Sequence, residues 1–332
     1  MPDTYTAFQV TKTGDRTYER QVTDLEIAGL PDGDLLIKVE YSSLNYKDAL
    51  SATGNPGVTR NFPHTPGIDV AGTVVESGSD SFAVGDSVIV IGFDLGMNTP
   101  GGFGQYVRIP SKWAVSLPSG LSSRESMILG TAGFTAALCV HKLEKFGMSP
   151  SGGPVLVSGS TGGVGSIAVQ LLNQLGYEVH AITGKADQAD FLKGIGASEV
   201  HSREAFEEES NRPLSREMWG GVVDTVGGVI LVNAIKALKY GSSAAACGLV
   251  SSPAIPATVF PFILRHVNLL GIDSVELPIE EKKEIWDKLA GPWHIGDLEK
   301  FVESLTLDTL SDAIDRILKG QMVGRGLVTL PT

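Results

Sequence analysis

A glycine-rich segment between an apolar strand and an amphipathic helix is the feature that most restricts how this chain can fold. Residues 154–158 (PVLVS) form a short apolar run, and GSTGGVG follows directly. Apolar residues then recur at helical spacing, as on a helix with one buried face. Glycine lets the backbone turn sharply and approach a pyrophosphate, to which the helix N-terminus offers free N–H groups. The pattern predicts a dinucleotide-binding loop whose cofactor contacts are Gly159, Thr161, Gly162, Gly163, Val164 and Gly165.

The rest of the chain shows two strand patterns. The second half alternates strands with helical stretches, an order that specifies a parallel sheet with helices on both faces. Its further strand candidates are residues 178–182, 199–201, 221–224, 243–247 and 267–271. The first third has strands separated by glycine and proline turns, for which a small antiparallel barrel is the natural closure. These strands are 35–41, 70–75 and 87–91, and a last strand at 324–330 is predicted to rejoin the N-terminal domain.

Composition and charge limit the partners. The 332 residues carry 26 Lys plus Arg against 38 Asp plus Glu, a net charge of −12, so the field of the protein repels nucleic acid. An anionic small molecule would need a local positive pocket.

The two cysteines, Cys139 and Cys247, have apolar neighbours, which indicates buried neutral thiols rather than a disulfide framework or a thiolate metal cluster.

No targeting or membrane-spanning segment is expected. Residues 1–10 lack a basic region before an apolar run, so a cytoplasmic location is the default. The uncharged windows 151–177 and 240–264 are interrupted by glycines and by prolines, respectively, so neither predicts a membrane helix.

The end of the second strand of the parallel sheet indicates which dinucleotide is bound. An NAD site usually has Asp or Glu there, which holds the ribose hydroxyls and repels a 2′-phosphate. Here the strand runs into Thr183, Gly184 and Lys185, and Arg203 follows the third strand. With no carboxylate and two cations, these four residues predict an NADPH site. Lys185→Glu is therefore expected to shift the preference toward NADH.

Several motifs occur in the order found in the medium-chain dehydrogenases/reductases. They are PGIDVAG at 66–72, GGFGQY at 101–106, GTAGFTA at 130–136, the glycine loop, and DTVGG at 224–228. Longer strings resemble the acrylyl-CoA reductase subgroup, whose members are often labelled quinone oxidoreductases. These are SSLNYKDAL at 42–50, PFILR at 261–265 and GIDSV at 271–275. The chain thus resembles a zinc-free medium-chain dehydrogenase/reductase over nearly its entire length.

The resemblance implies an α/β fold class, with a Rossmann doubly wound parallel sheet and a GroES-like antiparallel β-barrel domain. It implies a GroES-like catalytic domain at residues 1–124, an NADPH-binding Rossmann domain at 125–272, and a return segment at 273–332 that completes the catalytic domain. A homodimer is the common assembly. The zinc branch of the family has Gly-His-Glu where this chain has Gly67-Ile68-Asp69, and two scattered cysteines supply neither metal site, so no metal is expected.

The resemblance also suggests roles for individual residues. It places Asn45 and Tyr46 on the loop over the nicotinamide, where Tyr46 is the candidate hydrogen-bond donor to a developing enolate and Asn45 could orient the carboxamide or the carbonyl. The alternative is that both only shape the cofactor pocket. Lys47 and Asp48 are expected to be an ion pair or surface charges, and Asp69 to hydrogen-bond its own turn. Further candidates are Arg325, Leu249, Ile263 and Ser274 for the cofactor and Arg60 for an anionic substrate tail.

Three functions remain open at this stage. The leading hypothesis is an NADPH-dependent reductase of an α,β-unsaturated acyl thioester, with acrylyl-CoA, which gives propionyl-CoA, as the type substrate. The closest alternative transfers electrons to a quinone. A third, of a different class, is a redox-sensing or structural protein that binds NADPH without turnover. Hydrolase chemistry has no support, because no histidine is paired with a serine in a nucleophile elbow.

Overall fold

The computed structural model describes residues 2–208 and 212–331. The strands are β1 (Thr4–Gly14), β2 (Thr17–Glu26), β3 (Leu35–Leu44), β4 (Asp69–Ser77), β5 (Ser87–Ile91), β6 (Tyr106–Ile109), β7 (Ala114–Ser116), β8 (Val155–Val157), β9 (Val179–Thr183), β10 (Glu199–Ser202), β11 (Gly221–Asp224), β12 (Ser243–Ala246), β13 (Asn268–Gly271), β14 (Val302–Leu305) and β15 (Arg325–Thr329). The α-helices are α1 (Tyr46–Ala52), α2 (Ser123–Lys145), α3 (Gly163–Gln174), α4 (Ala189–Gly194), α5 (Glu204–Glu207), α6 (Gly228–Lys236), α7 (Phe260–Arg265), α8 (Ile279–Ala290) and α9 (Leu310–Leu318).

Two compact units account for these elements. The first unit contains Met1–Thr131, Val275–Gly291 and Gly296–Thr332, and the second contains Ala132–Ser274 and Pro292–Ile295. The domain boundaries expected from the sequence, after residues 124 and 272, stay a prediction.

The first unit is built on a mainly antiparallel sheet. Its seven strands follow the order β14-β15-β3-β4-β5-β7, with β6 paired to β3, and β1 and β2 form a separate antiparallel ribbon. Strand β15 pairs antiparallel with β3, Leu327 facing Ser43, so the predicted return of the C-terminal strand is confirmed. The parallel partner of β15, β14, was not foreseen from the sequence.

Strand β3 buries apolar side chains on both of its faces near its start. Leu35 and Ile37 belong to the main core of the unit. Leu36 points to the other face, where it packs in a second cluster with Tyr5 and Tyr106. The ribbon of β1 and β2 therefore contributes to the burial of this second face.

The second unit is a parallel sheet in the order β10-β9-β8-β11-β12-β13. This is the 3-2-1-4-5-6 order of a doubly wound Rossmann sheet, so the predicted α/β fold class is confirmed. Buried apolar side chains of β8, β11 and β12, including Leu156, Val222 and Ala244, form its core with Trp219.

Helix α2 is long and apolar enough to cross a membrane by composition, but 89% of its apolar window is buried within the chain. Its backbone is also non-helical at Gly130, with φ +50° and ψ −158°. These properties are those of a core helix.

Both cysteines are free thiols, Cys139 buried and Cys247 partly buried. A hydrogen bond with Cys247 and burial raise the pKa of Cys139, so this thiol is neutral as predicted.

Candidate cofactor cradle and buried polar network

The glycine loop forms a tight turn between β8 and α3. Gly159 has φ +59°, in the left-handed region that favours glycine. A Cβ on Gly165, in the first turn of α3, would lie 2.7 Å from Ser160 Cα and would overlap Gly159 O. The first N–H groups of a helix have no partners within the helix and carry the positive end of its dipole. The turn is therefore a cradle that fits a pyrophosphate, and the cofactor contacts of its residues stay predictions.

Asp224 holds the base of this cradle, a role the sequence analysis missed. Its carboxylate accepts hydrogen bonds from Ser158 Oγ at 2.7 Å and from Gly227 N at 2.8 Å. Thr225 completes the link, since its N–H donates to Ser158 Oγ and its hydroxyl to Ser158 O, both at 2.9 Å. The end of β8 is thus tied to the end of β11. The signal was available in the DTVGG motif, but the partner serine lies 66 residues away.

The four residues that predict the NADPH site lie together at the carboxyl ends of β9 and β10. They are Thr183, Gly184, Lys185 and Arg203. Arg203 N donates to Thr183 O at 2.9 Å, and Lys185 N donates to Thr183 Oγ1 at 3.0 Å. The guanidinium of Arg203 lies over Gly184, where a Cβ would approach its Cζ to 3.1 Å. Arg203 Nε also pairs with Glu207 Oε1 at 3.0 Å, four positions along the chain. Burial lowers the pKa of Lys185.

In the first unit, Asn45 and Tyr46 stand where β3 ends and α1 begins. Tyr46 is 38% exposed, and no described residue hydrogen-bonds its hydroxyl. Asp48 fixes the turn, because its carboxylate accepts hydrogen bonds from Asn45 N at 2.7 Å and from Ile68 N at 2.8 Å. The expectation that Asp48 is a surface charge or the ion-pair partner of Lys47 is wrong, since Asp48 is fully buried and its partners are backbone N–H groups.

Asp69 is the centre of a buried polar network in the same unit. Its carboxylate accepts hydrogen bonds from Ser43 Oγ, from Asn45 Nδ2 at 2.7 Å, and from the N–H of Thr131 at 2.9 Å. The Thr131 hydroxyl donates to its other oxygen. Asp69 was expected to hydrogen-bond its own turn, but it connects three separate segments of the chain. The non-helical Gly130 allows this approach, because any Cβ there would overlap Ser43 and crowd Asp69 and Arg325.

Arg325 supplies the positive charge of this network. It is 2% exposed, and its guanidinium donates to Ile128 O at 2.8 Å, to Leu44 O at 3.4 Å and to Asn45 Oδ1 at 3.3 Å. Its Nη2 is buried with no hydrogen-bond partner among the described residues. Both ends of the Asn45 amide are therefore engaged, one by Asp69 and one by Arg325, which fixes the loop that carries Tyr46.

Sequence models of two families match this chain: the alcohol dehydrogenase GroES-like domain over residues 31–119 and the zinc-binding dehydrogenase over residues 163–291. The acrylyl-CoA reductase AcuI of Ruegeria pomeroyi is 45% identical over 307 residues, which cover 92% of this chain and 93% of that protein. The putative quinone oxidoreductase YhfP of Bacillus subtilis is 44% identical over 331 residues, 99% of this chain and 100% of its own length. The chain is a medium-chain dehydrogenase/reductase.

Solved structures agree with this assignment. The YhdH oxidoreductase of Salmonella enterica, in complex with NADP, has a TM-score of 0.95 and 43% identity, covering 98% of this chain and 100% of that one. Bacillus subtilis YhfP with NAD bound has a TM-score of 0.95 and 44% identity, covering 98% of this chain and 99% of that one. The predicted family, its acrylyl-CoA reductase and quinone oxidoreductase subgroup, and the oxidoreductase class are confirmed.

Catalytic zinc does not fit this medium-chain dehydrogenase/reductase at the Gly67-Ile68-Asp69 turn. The Asp69 carboxylate is surrounded by hydrogen-bond donors, and the buried cation of Arg325 lies nearby. A second positive charge in this network would be repelled by the guanidinium.

The other predicted site residues are scattered through the two units. Leu249 and Ile263 belong to the second unit and are 64% and 69% exposed. Ser274 is buried, and its Oγ accepts a hydrogen bond from Thr135 at 2.9 Å. Arg60 is exposed in the first unit, where its Nε donates to Pro56 O at 3.3 Å. Their cofactor and substrate contacts, like those of Arg325, stay predictions.

The carboxyl of Asp48 makes stability depend on pH. Burial, and then the charge of Asp69, raise its pKa from 3.8 to about 7, although its backbone hydrogen bonds oppose the shift. Between these values the folded state holds a proton that the unfolded state has lost, so the free energy of unfolding falls as pH rises. From pH 5 to pH 8 the loss from this group alone is about 3 kcal/mol.

Asp48→Asn is therefore expected to remove this part of the pH dependence. Unfolding by urea at pH 5 and pH 8 measures it for both proteins. The exposed Asp80 provides the control, since Asp80→Asn makes the same chemical change outside the network. Parallel profiles for the wild type and Asp48→Asn would show that Asp48 is ionised throughout this range.

Proposed function

We propose that this chain is an NADPH-dependent reductase of the activated C=C bond of an α,β-unsaturated acyl thioester, with acrylyl-CoA as substrate and propionyl-CoA as product. The observation that carries the proposal is the 45% identity to an acrylyl-CoA reductase over 92% of the chain. The Escherichia coli protein named probable acrylyl-CoA reductase AcuI, 43% identical over 92% of this chain, supports the same reading.

NADPH is the proposed cofactor. The cradle of Gly159 to Gly165 fits a pyrophosphate, and the adjoining strand ends carry Lys185 and Arg203 with no carboxylate at the end of β9. Two cations suit a 2′-phosphate, and Arg203 would exchange its exposed pairing with Glu207 for that phosphate. Bound NADPH would supply the hydride for the β carbon of the substrate.

The first unit would supply the hydrogen bond that the reaction needs. Addition of hydride at the β carbon places negative charge on the thioester carbonyl oxygen, and a fixed donor at that oxygen lowers the barrier by about 3 kcal/mol. The Tyr46 hydroxyl is the proposed donor, because it is exposed and no described residue engages it. Asn45 would act as a positioning residue, since Asp69 and Arg325 hold its amide. The enolate then takes a proton at the α carbon.

The charge reversal at Lys185 tests the cofactor proposal. Lys185→Glu is expected to weaken NADPH binding by about 10- to 100-fold and to leave NADH binding within a few-fold, because only NADPH carries the 2′-phosphate. Fluorescence titration of each coenzyme gives both constants. Lys193→Glu, an exposed site on α4 in the same unit, makes an equal charge change and controls for the overall field. Equal weakening of NADPH by both variants would remove Lys185 from the site.

Substrate assays test the function itself. NADPH oxidation is followed with acrylyl-CoA and with a simple benzoquinone, and propionyl-CoA is quantified against NADPH consumed. The proposal requires a higher kcat/KM for acrylyl-CoA and equal amounts of product and oxidised cofactor. Tyr46→Phe, which keeps the ring and loses the hydroxyl, should lower kcat with acrylyl-CoA by about 100-fold.

The second candidate is a quinone reductase, favoured by the 44% identity to the putative quinone oxidoreductase YhfP over 99% of the chain. If kcat/KM were much larger for the benzoquinone than for acrylyl-CoA, quinone reduction would replace acyl thioester reduction as the function. NADPH binding without turnover of either acceptor would support the third reading, a redox-sensing or structural protein.

We further propose that the protein is a cytoplasmic homodimer. Strand β13 forms one edge of the parallel sheet, and exposed apolar side chains cluster in the sequence just before it. Apart from Leu249 and Ile263, which are candidate cofactor contacts, they are Val250, Ile255, Val259, Phe260 and Leu264. A sheet edge and exposed apolar side chains are both features that suit contact with a second copy of the chain. The net charge of −12 makes nucleic acid an unfavourable partner.

A further inference from the structure

Two histidines and a glutamate meet at the opposite edge of the parallel sheet. Strand β10 is the edge strand and pairs with β9, placing Glu199 beside His180 and His201 beside Ile182. His180 Nδ1 lies 2.9 Å from His201 Nε2, and both nitrogens approach Glu199 Oε2, at 3.4 and 3.5 Å. Among the residues that the structure describes, this is the group of three His, Cys, Asp or Glu side chains positioned to hold a metal ion.

The separations of these three atoms match the ligand spacing of a small divalent ion. A point about 2 Å from all three exists about 0.6 Å outside their plane, and zinc takes histidine and carboxylate ligands at about 2.0–2.2 Å. The angles subtended there are about 90° to 120°, a range that three positions of a distorted tetrahedron allow. The fourth position would face solvent, because the side chain of Glu199 is 61% exposed.

Glu178 supports the same assignment from the far side of the His180 ring. Its Oε1 lies 3.1 Å from His180 Nε2, the nitrogen that does not face Glu199. A proton on Nε2 donated to Glu178 leaves the Nδ1 lone pair available for a metal. A carboxylate behind a ligating imidazole is the usual outer partner of histidine in metal sites, where it fixes the tautomer and the ring orientation.

Aromatic side chains enclose the inner side of the cluster. The Trp219 ring lies 5.3 Å from the His180 ring and 6.1 Å from the His201 ring, and Phe206 packs 5.8 Å from His201. His180 is consequently buried, while Glu199 remains accessible. This environment restrains the two imidazoles and leaves an entry path for an ion past Glu199.

We propose that His180 Nδ1, His201 Nε2 and Glu199 form a binding site for a divalent transition-metal ion of the Zn²⁺ type. Two imidazoles and one carboxylate form a donor set that favours Zn²⁺ and the neighbouring transition metals over Mg²⁺ or Ca²⁺. A bound ion joins edge strand β10 to β9, just before the strand ends that carry Lys185 and Arg203. The assignment does not depend on the substrate of the enzyme, and it lies outside the Gly67-Ile68-Asp69 turn.

Metal titration of the full chain tests the site. Protein freed of metal with a chelator is titrated with Zn²⁺ by calorimetry and with Cu²⁺ by tryptophan fluorescence, because Trp219 adjoins both histidines. One Zn²⁺ per chain with micromolar or tighter affinity is expected, together with quenching of part of the fluorescence by Cu²⁺. Loss of an outer carboxylate partner costs about 10- to 100-fold in metal affinity, so Glu178→Gln should weaken Zn²⁺ by about 10-fold and His201→Gln by more than about 100-fold.

Matched variants keep the test decisive. Glu199→Gln changes an exposed side chain, so it should fold normally and still weaken Zn²⁺ binding. His266→Asn removes an exposed histidine with φ +52°, a conformation that asparagine tolerates, and should leave binding unchanged. Absence of Zn²⁺ binding at micromolar concentrations, or equal affinity in the wild type, Glu199→Gln and His201→Gln, would overturn the proposal.

Discussion

Gly165→Ala is expected to weaken NADPH binding by about 100-fold, because the added methyl group has no room in the cradle. Its Cβ would overlap Gly159 O and lie 2.7 Å from Ser160 Cα. Both neighbours are backbone, so neither can rotate away. Relief requires the turn and the start of α3 to separate, which displaces the N–H groups that would hold the pyrophosphate. Overpacking of this kind costs about 3 kcal/mol, and each 1.4 kcal/mol is about a tenfold change in Kd.

Two further glycines give this experiment a graded control. A Cβ on Gly162 would lie 3.3 Å from Gly159 O, so Gly162→Ala should weaken NADPH binding only by a few-fold. A Cβ on Gly194, at the end of α4, meets nothing within 4 Å, so Gly194→Ala should bind NADPH like the wild type. Calorimetry gives the constants, and circular dichroism checks that each variant is folded. A Gly165→Ala variant that binds NADPH as tightly as Gly194→Ala would show that the cofactor does not use this turn.

Local sequence patterns predict the parts of this protein that depend on neighbouring residues. The glycine loop, the apolar stripe of α3 and the strand at 221–224 lie where the pattern placed them, because strand, turn and helix signals are all local. The cationic strand ends were also predictable, since parallel strands bring Lys185 and Arg203 to the same edge of the sheet.

Contacts between distant segments could not be predicted in the same way. Asn45 and Arg325 are separated by 280 positions, and no local pattern indicates that they meet. Asp48 reads as a surface charge because acidic residues at a helix start usually are exposed. His180 and His201 lie 21 positions apart, and only the register of β9 with β10 makes them neighbours.

Asp69→Asn is expected to lower the free energy of unfolding by about 3–5 kcal/mol, because it removes the buried negative charge that partly compensates the buried guanidinium of Arg325. The carboxylate accepts hydrogen bonds from Ser43, Asn45 and Thr131, whereas an amide presents an NH₂ group to some of those donors. Arg325 would be left with less compensation for its burial. Urea unfolding at neutral pH measures the loss, and kcat measured on the folded variant shows whether the loop of Tyr46 is still held in place.

Smaller changes in the same network separate the charge from the individual hydrogen bonds. Ser43→Ala and Thr131→Val each remove one hydroxyl donor and leave the carboxylate, so each should cost about 1 kcal/mol. If Asp69→Asn costs no more than these two variants, the carboxylate does not compensate Arg325. If it costs several times more, the charge is the dominant contribution.

Asp69→Asn should also lower the pKa of Asp48 toward 3.8, since the charge of Asp69 is one of the two causes that raise this pKa. The stability loss of Asp69→Asn would accordingly be larger at pH 5 than at pH 8, because the wild type keeps the proton on Asp48 only at the lower pH.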